Sequence, residues 1–198
     1  METLLQGMLR EMGDGGIEKI AQSAGIDAGM AKTILEQAGP LLAGKMADNA
    51  KSPEGLESLD KALSSHDGSI FDRMDDVANP DVDTKGSSIL GKIFGGSNKV
   101  EDLAGAMAKE NKTDNGTIMK VLGMAAPLIL GQLGGKKKSG GLDAAGIFDM
   151  LQSDKKASQG SGNSMLMGLA TQFLDKDGDG DIKDDLLGMA MGKLFGGK

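Results

Sequence analysis

The sequence predicts an all-α protein with two related small helical units and a C-terminal EF-hand-like helix-loop-helix. The 198 residues include 14 Met and five Phe but no Trp and no Tyr. Burial therefore depends on Leu, Ile, Met and Ala, which favour helices over strands. Apolar residues make up 39% of the chain, which is enough for a thin core.

A repeated pattern predicts the first two units, residues 1–78 and 89–152. Each opens with a helix whose apolar residues recur at helical spacing: Ile17, Ile20, Ala21 and Ala24, then Val100, Leu103, Ala104 and Met107. A Gly-bearing turn follows, and then a longer apolar helix with "AGPLLAG" at 38–44 or "AAPLILG" at 125–131. The opening residue precedes the proline by 23 positions in the first copy and by 27 in the second, so we expect a four-residue insertion.

Three stretches are expected to be linkers, the first because it is rich in Pro, Asp and Gly and the others because their Lys, Ser, Gly and Gln leave no apolar face. They are residues 79–88, 134–141 and 153–163. The third unit is expected over residues 163–198, where a helix at 165–174 and a second helix that ends at Phe195 enclose an acidic loop.

The acidic stretch "DKDGDGDIKDD" at 175–185 predicts a calcium loop. An EF-hand loop places oxygen ligands at positions 1, 3, 5, 7, 9 and 12, with Gly at position 6. With Asp175 at position 1, the sequence places Asp177 at position 3, Asp179 at position 5 and Gly180 at position 6. Asp181 at position 7 would bind through its carbonyl. Carboxylates this close together repel one another unless a cation or water separates them.

Position 12 departs from this pattern, because Leu186 cannot supply the last carboxylate. Asp184 is the favoured replacement, and Asp185 is the alternative. The predicted metal ligands are therefore Asp175, Asp177, Asp179, Asp181 and Asp184. All-oxygen ligation favours Ca²⁺ over its competitor Mg²⁺, and we expect a dissociation constant of about 10⁻⁴ to 10⁻³ M for the incomplete site. The other interpretation is a solvated turn whose aspartates cap the following helix.

The rest of the sequence does not predict catalytic or cofactor-binding residues. The only His, His66, lies in "SSHDGSIFD", which we interpret as a turn that caps a helix, since a lone His without Cys cannot build a zinc site. The stretch "GPLLAGKM" at 39–46 has the spacing of a phosphate-binding loop. However, Met46 replaces the hydroxyl residue of that motif and no strand precedes it.

Composition limits the partners and the location of the protein. The net charge of -7 and the short lysine runs at 136–138 and 155–156 disfavour nucleic acid. The absence of Cys excludes disulfides and thiolate catalysis. The most apolar segment, 118–133, is shorter than the roughly 20 residues that span a bilayer, so we expect a buried helix and no transmembrane segment. Glu2 lies where a signal peptide needs basic charge, which predicts a cytoplasmic protein.

Five stretches of the chain together resemble the YidB-like bacterial proteins, also described as domain of unknown function 937. They are "GGIEKIAQSAGID", "PLLAGKMADNAKSPEGLESLDKAL", "HDGSIFD", "ILGKIFGG" and "PLILGQL", all between residues 13 and 133. The tail "LDKDGDGDIKDDLLGMAMGKLFGG" is similar to the acidic ends of some such proteins. The resemblance implies an all-helical fold, with a homeodomain-like arrangement, and no assigned activity. DNA binding is not expected, because the acidic chain lacks a basic recognition face.

These observations predict a non-enzymatic helical protein, structural or partner-binding, with a Ca²⁺-stabilised C-terminal loop. Its partner is expected to be another protein or a second copy of the chain. One alternative is a secreted or cell-surface calcium-dependent module that is exported by a non-classical route, without a cleaved signal. Another is a Mg²⁺-dependent enzyme, which is disfavoured because the acidic loop lacks a basic clamp for a phosphate substrate.

Overall fold

The structure, a computed structural model, describes residues 3–160, which form helices joined by short turns. The α-helices are α1 Leu4–Ala24, α2 Ala28–Asn49, α3 Pro53–Ser64, α4 Pro80–Phe94, α5 Ser97–Asn111, α6 Asn115–Gly140 and α7 Ala144–Gly160. A 3₁₀ helix, Phe71–Ala78, lies between α3 and α4. Residues 3–160 contain no strand, and the predicted all-α class is confirmed.

Side chains that precede the helices accept hydrogen bonds from the first turns. Thr3 caps α1 within a reciprocal capping box. The Oδ1 atom of Asp27 accepts the Met30 N–H of α2 at 2.9 Å, and Oδ1 of Asp114 accepts the Thr117 N–H of α6 at the same distance. These caps satisfy backbone donors that have no partner inside the helix, and they set the residue at which each helix begins.

Helix α6 lies at the centre of the described fold. It contacts α1, α2, α3, α4, α5 and the 3₁₀ helix, and residues 121–134 are all buried. Each fully buried Leu or Ile side chain in this segment contributes roughly 1.5–3 kcal/mol to the free energy of unfolding. The buried helix predicted over 118–133 is therefore confirmed.

The same helix is long and apolar enough to cross a membrane when judged by length and composition alone. Among the described residues it is the one helix with this property. Its most apolar window has a mean hydropathy of 1.4, and 83% of that window is buried inside the protein. Helices that are surrounded by other helices are apolar on all sides, which accounts for the composition of α6.

The first predicted linker, residues 79–88, is wrong, because α4 begins within it at Pro80. Proline is compatible with the first turn of a helix, where its missing N–H removes no hydrogen bond. Gly86 lies against the backbone of Gly123 in α6, so that a Cβ atom at position 86 would overlap the Gly123 carbonyl. The small and polar residues of this stretch thus permit close packing of α4 on α6.

The second predicted linker, 134–141, is also wrong, and so is the third over its described residues, 153–160; residues 161–163 lie outside the described part. Residues 134–140 continue α6, which ends where Gly141 adopts a left-handed conformation with φ of 60°. Residues 153–160 continue α7, because Ile147 and Leu151 of that helix are buried and hold it against the fold. Polar composition does not prevent a helix when the apolar residues beside it are anchored in a core.

Helices of both predicted helical segments lie in one compact unit, which extends to Ser158. In this unit α6, from segment 89–152, contacts α1, α2 and α3, from segment 1–78. The predicted C-terminal unit, 163–198, lies outside the described residues together with both of its expected helices.

Candidate functional site

All five predicted calcium ligands lie outside the residues that the structure describes. They are Asp175, Asp177, Asp179, Asp181 and Asp184, and the calcium loop stays a prediction. Within residues 3–160, no group of three or more His, Asp or Glu side chains is arranged to hold a metal ion. That part of the chain therefore adds no second candidate for a metal centre.

The His66 turn has a structural environment. The Nδ1 atom of His66 lies 2.8 Å from the Ala62 carbonyl oxygen of α3, and the side chain is half-buried. The adjacent Asp67 accepts hydrogen bonds from Lys138 at 3.0 Å and from the Ser69 N–H at 3.2 Å. These bonds hold the pKa of Asp67 well below its ordinary value, and the bond from Lys138 has the largest effect. The turn thus fastens the end of α3 to α6.

One detail of the predicted helix cap after His66 is wrong. The turn leads into the 3₁₀ helix Phe71–Ala78, and the residue before that helix, Ile70, makes no side-chain cap. The carboxylate of Asp67 is used instead within the turn and by Lys138. Competition from a charge-assisted bond to a neighbouring helix accounts for this difference, since such bonds are stronger than neutral ones.

The phosphate-loop spacing at residues 39–46 is confirmed as coincidental. These residues lie inside α2, where the backbone N–H groups belong to the hydrogen-bond ladder of the helix. A phosphate-binding loop needs free N–H groups at the start of a helix.

Four charged side chains and one backbone N–H form a partly buried group that joins α1, α2 and α7. We name this group the α7 cluster. It consists of the N–H of Leu4 and the side chains of Asp48, Lys51, Asp154 and Lys155. The Nζ atom of Lys155 lies 2.7 Å from both carboxylate oxygens of Asp48, and both side chains are 19% exposed. Lys51 reaches the same carboxylate at 2.7 Å. Next to Lys155 in sequence, Asp154 accepts the N–H of Leu4 at 2.6 Å and thereby caps α1 from another helix.

The two carboxyls of the α7 cluster have pKa values shifted in opposite directions. Burial opposes ionisation of Asp48, but the bonds from Lys155 and Lys51 outweigh it and lower the pKa of this carboxyl. Burial raises the pKa of Asp154, and the Leu4 N–H and the charge of Lys136 offset this only in part. The cluster therefore combines an ionic bond with a helix cap, and both fasten α7.

Two glutamines are buried among apolar residues and were missed by the sequence analysis. Gln37 of α2 accepts a hydrogen bond from Nδ2 of Asn111 in α5 at 2.7 Å. Gln132 of α6 donates through its amide nitrogen to the two carboxylate oxygens of Glu11 in α1, at 2.7 and 2.9 Å. The signal that was available is a polar residue at an apolar-face position of an apolar helix, since such residues need a partner when buried.

The α7 cluster was also missed, although the sequence analysis had noted Lys155 as part of a short basic run. Lys155 and Asp48 are 107 positions apart in the chain. Periodicity and capping rules compare residues only a few positions apart, so neither can predict this pair.

The family described as "Bacterial protein of unknown function (DUF937)" matches residues 6–138. The chain belongs to this family. The resemblance inferred from the five sequence stretches is thereby confirmed. The matched DUF937 region runs from α1 to α6, so α7 and the acidic loop at 175–185 both lie beyond it. Neither a curated protein nor a solved structure matches the chain significantly.

Proposed function

We propose that this DUF937 protein is a non-enzymatic helical protein with a structural or partner-binding role. The observation that best supports this is the use of its aspartates in the described residues. Aspartates that precede helices cap them, as Asp27, Asp114 and Asp143 do. Other aspartates pair with lysines of neighbouring helices, as Asp48, Asp60 and Asp67 do. Carboxylates held in this way stabilise helix contacts, which is the work expected of a scaffold.

The surface of the described part supports reversible association. Among the side chains that the structure describes, those that are mostly exposed belong to polar residues, Gly, Ala or Pro. Permanent partners usually cover a large exposed apolar patch, whereas reversible interfaces are about as polar as the remaining surface. A partner of this region would therefore meet mostly polar side chains.

Calcium binding at the acidic loop is the second part of the proposal. It is supported by the EF-hand spacing of Asp175, Asp177, Asp179 and Gly180. The loop lies beyond the DUF937 match at 6–138, so calcium would act on a feature added to the family region. With Leu186 at position 12, the site would serve as a weak structural staple between two expected helices.

Isothermal titration calorimetry of the intact chain with Ca²⁺, and separately with Mg²⁺, tests this part. We expect binding with a Kd of about 10⁻⁴ to 10⁻³ M for calcium, and loss of the binding heat in Asp177→Ala. The matched control is Asp72→Ala, which removes the same charge from an exposed position of the 3₁₀ helix. This control should bind calcium as the unchanged protein does.

Three outcomes would count against the proposal. Absence of binding heat at millimolar calcium would leave the helix-cap interpretation of the loop. Equal loss of binding in Asp177→Ala and Asp72→Ala would indicate a general charge effect instead of a site. Turnover of a phosphate ester with Mg²⁺, abolished by Asp179→Ala, would replace the non-enzymatic function with an enzymatic one.

A further inference from the structure

Two turns of the chain have the same geometry at positions that differ by 87. Helix α1 is followed by Gly25 and α5 by Lys112, both in the left-handed conformation, with φ of 75° and 53°. Two residues later Asp27 and Asp114 cap the next helices through the same backbone position. Lys112 is a non-Gly residue with positive φ, a conformation that costs energy for most side chains. The geometry of this turn is therefore kept even without glycine.

The backbone hydrogen bonds of the two turns also agree. The N–H of Ile26 donates to the Ala21 carbonyl at 3.0 Å, and the N–H of Thr113 donates to the Ala108 carbonyl at 3.0 Å. This is the six-to-one bond that closes a helix with a left-handed cap. Donors and acceptors are again 87 positions apart.

The helices after these turns share their buried face. Pro40 lies in α2 and Pro127 in α6, each 13 positions after its capping aspartate. Every buried position of α2 has a buried counterpart 87 positions later in α6. The helices before the turns differ in length: α1 is kinked at Gly13 and continues over 14–24, whereas α5 is four residues longer than that segment. The separation of 87 holds from Ala21 to the prolines, so the insertion expected between the opening residue and the proline is wrong. The sequence comparison had paired Ile17 with Val100, which is displaced by four residues, about one helical turn.

A third helix follows each copy and forms an ion pair with the long helix of the other copy. Helix α3 buries Leu59 and Leu63, and α7 buries Ile147 and Leu151, so that each uses two residues four positions apart. From α3, Asp60 pairs with Lys137 of α6 at 2.6 Å. From α7, Lys155 pairs with Asp48 of α2 at 2.7 Å.

Two close approaches to glycines show the same relation between the copies. A Cβ atom at Gly44 of α2 would lie 3.8 Å from Cγ of Lys155, and one at Gly131 of α6 would lie 3.7 Å from Cα of Gly68. Gly44 and Gly131 differ by 87 positions, and so do Gly68 and Lys155. The contact between each long helix and the segment that follows the other one therefore occurs twice, as a two-fold relation requires.

We propose that the chain is a fused pair of helical copies that exchange their third helices, and that α7 makes the same exchange with a second copy of the protein. In such a dimer, Asp154 and Lys155 from α7 of each protomer would form the α7 cluster with Leu4, Asp48 and Lys51 of the other protomer. The contacts are the same as within one chain, so the cost is mainly that of association, and the dimer fraction rises with protein concentration. This inference rests on the proposed partner-binding function, because it requires that the protein has a partner. It does not depend on the proposed calcium binding.

The connection before α7 allows this exchange. Residues 138–141 are exposed and end in Gly140 and Gly141, and residues 141–143 form no regular structure. If residues 139–143 extend, they reach up to about 17 Å, and the bond between Lys138 and Asp67 stays in place. Helix α3, in contrast, is followed by the His66 turn, whose Asp67 is bonded to Lys138. An exchange of α3 would have to break that attachment as well.

Single-cysteine variants test the exchange cleanly, because the chain contains no Cys. Asp48→Cys and Lys155→Cys proteins are mixed at high concentration, partly unfolded together in urea, refolded and oxidised. We expect a disulfide-linked dimer that joins positions 48 and 155, identified by mass spectrometry after proteolysis. The matched control is the mixture of Asp60→Cys and Lys137→Cys, the ion pair that joins α3 to α6, which should give no cross-linked dimer. The unchanged protein, measured by light scattering, should become partly dimeric after the same treatment.

The double variant Asp48→Cys/Lys155→Cys verifies that the substituted proteins fold, since its disulfide should close within one chain at low concentration. Given that closure, three results would overturn the exchange. One is a mixture that yields only 48–48 and 155–155 disulfides. Another is equal cross-linking of the experimental and control mixtures. The third is an unchanged protein that stays monomeric at every concentration after refolding.

Discussion

The ammonium group of Lys155 is held equally by both carboxylate oxygens of Asp48, at 2.7 Å each, although 107 residues separate the two positions. This pair ties α7, which lies outside the DUF937 match, to α2, which lies within it. Asp154 adds a cap on α1 from the same turn of α7. The polar attachment of α7 to the family region therefore depends on two adjacent residues, beside the buried Ile147 and Leu151.

Replacement of Lys155 by Ala should weaken this attachment. A hydrogen bond to a charged group contributes about 1.5–3 kcal/mol, and Asp48 retains Lys51 in the variant, so we expect a loss of about 1–2 kcal/mol in the free energy of unfolding. Amide hydrogen exchange should accelerate within residues 144–156 more than in α6. The control is Lys156→Ala on the same helix, where an exposed lysine is removed and the change should stay within about 0.5 kcal/mol. Equal effects of the two substitutions would contradict the role of Lys155.

The hydrogen bond between buried Gln37 and half-buried Asn111 should be important for the packing of α5 on α2. Asn111→Ala removes the donor at 2.7 Å from the Gln37 oxygen, and the loss of a partner by a buried polar group costs about 1–3 kcal/mol. Chemical denaturation of the variant measures this cost. The control is Asn98→Ala, which changes the same residue type at an exposed position of α5. A double variant with Gln37→Leu should recover part of the loss, and strict additivity would contradict the coupling of the two residues.

Two Gly→Ala substitutions should have effects of opposite sign. A Cβ atom at Gly134 would overlap the His66 carbonyl oxygen, whereas a Cβ atom at Gly105 would meet nothing within 4 Å. Gly134→Ala should therefore destabilise the protein by 2 kcal/mol or more, on the order of an overpacked core. Gly105→Ala should stabilise it by about 0.5–1 kcal/mol, because Ala favours the helical conformation. Thermal unfolding of both variants provides the comparison, and destabilisation by Gly105→Ala would contradict the open space at that position.

The stability of the protein should depend on pH through Asp48 and Asp154 in opposite ways. The lowered pKa of Asp48 means that its contribution is present above the ordinary value of 3.8 and is lost as the pH falls through the lowered pKa. The raised pKa of Asp154 means that its ionisation costs stability at neutral pH. This cost disappears as the pH falls from the raised pKa towards 3.8.

Urea unfolding of the unchanged protein, Asp48→Asn and Asp154→Asn across pH 3 to 7 separates these two effects. Relative to Asp154→Asn, the unchanged protein should gain stability on acidification above the ordinary carboxyl pKa. Relative to Asp48→Asn, it should lose stability below that value, and each slope is limited to about 1.4 kcal/mol per pH unit for one proton. Parallel curves for all three proteins would show that neither carboxyl is coupled to folding.

Local rules predicted much of this protein from its sequence. The helical class followed from the residues available for burial, and the central helix α6 followed from the apolar segment 118–133. The calcium motif is also local, because its aspartates alternate within one short stretch, and it stays a prediction. Family membership was inferred from an ordered set of stretches and is confirmed by the match over 6–138.

The linker predictions at 79–88 and 134–141 failed for one physical reason. Their glycine and polar residues have the composition of flexible segments. In the folded chain, however, Gly86 lies against the backbone of Gly123, and Gly134 lies against the backbone of His66. Composition cannot distinguish a glycine that loosens a chain from one that permits close packing, because the difference lies in the neighbour it meets.

The sequence by itself determined the helical class and which helix is most deeply buried, since apolar faces depend on residues within about four positions of one another. The tertiary structure alone decided that α7 forms an ion pair with α2 and α3 with α6, and that Asp48, Asp154 and Lys155 form one cluster. These pairs are distant in the chain, and only the packing of the long helices α2 and α6 brings them within hydrogen-bond distance.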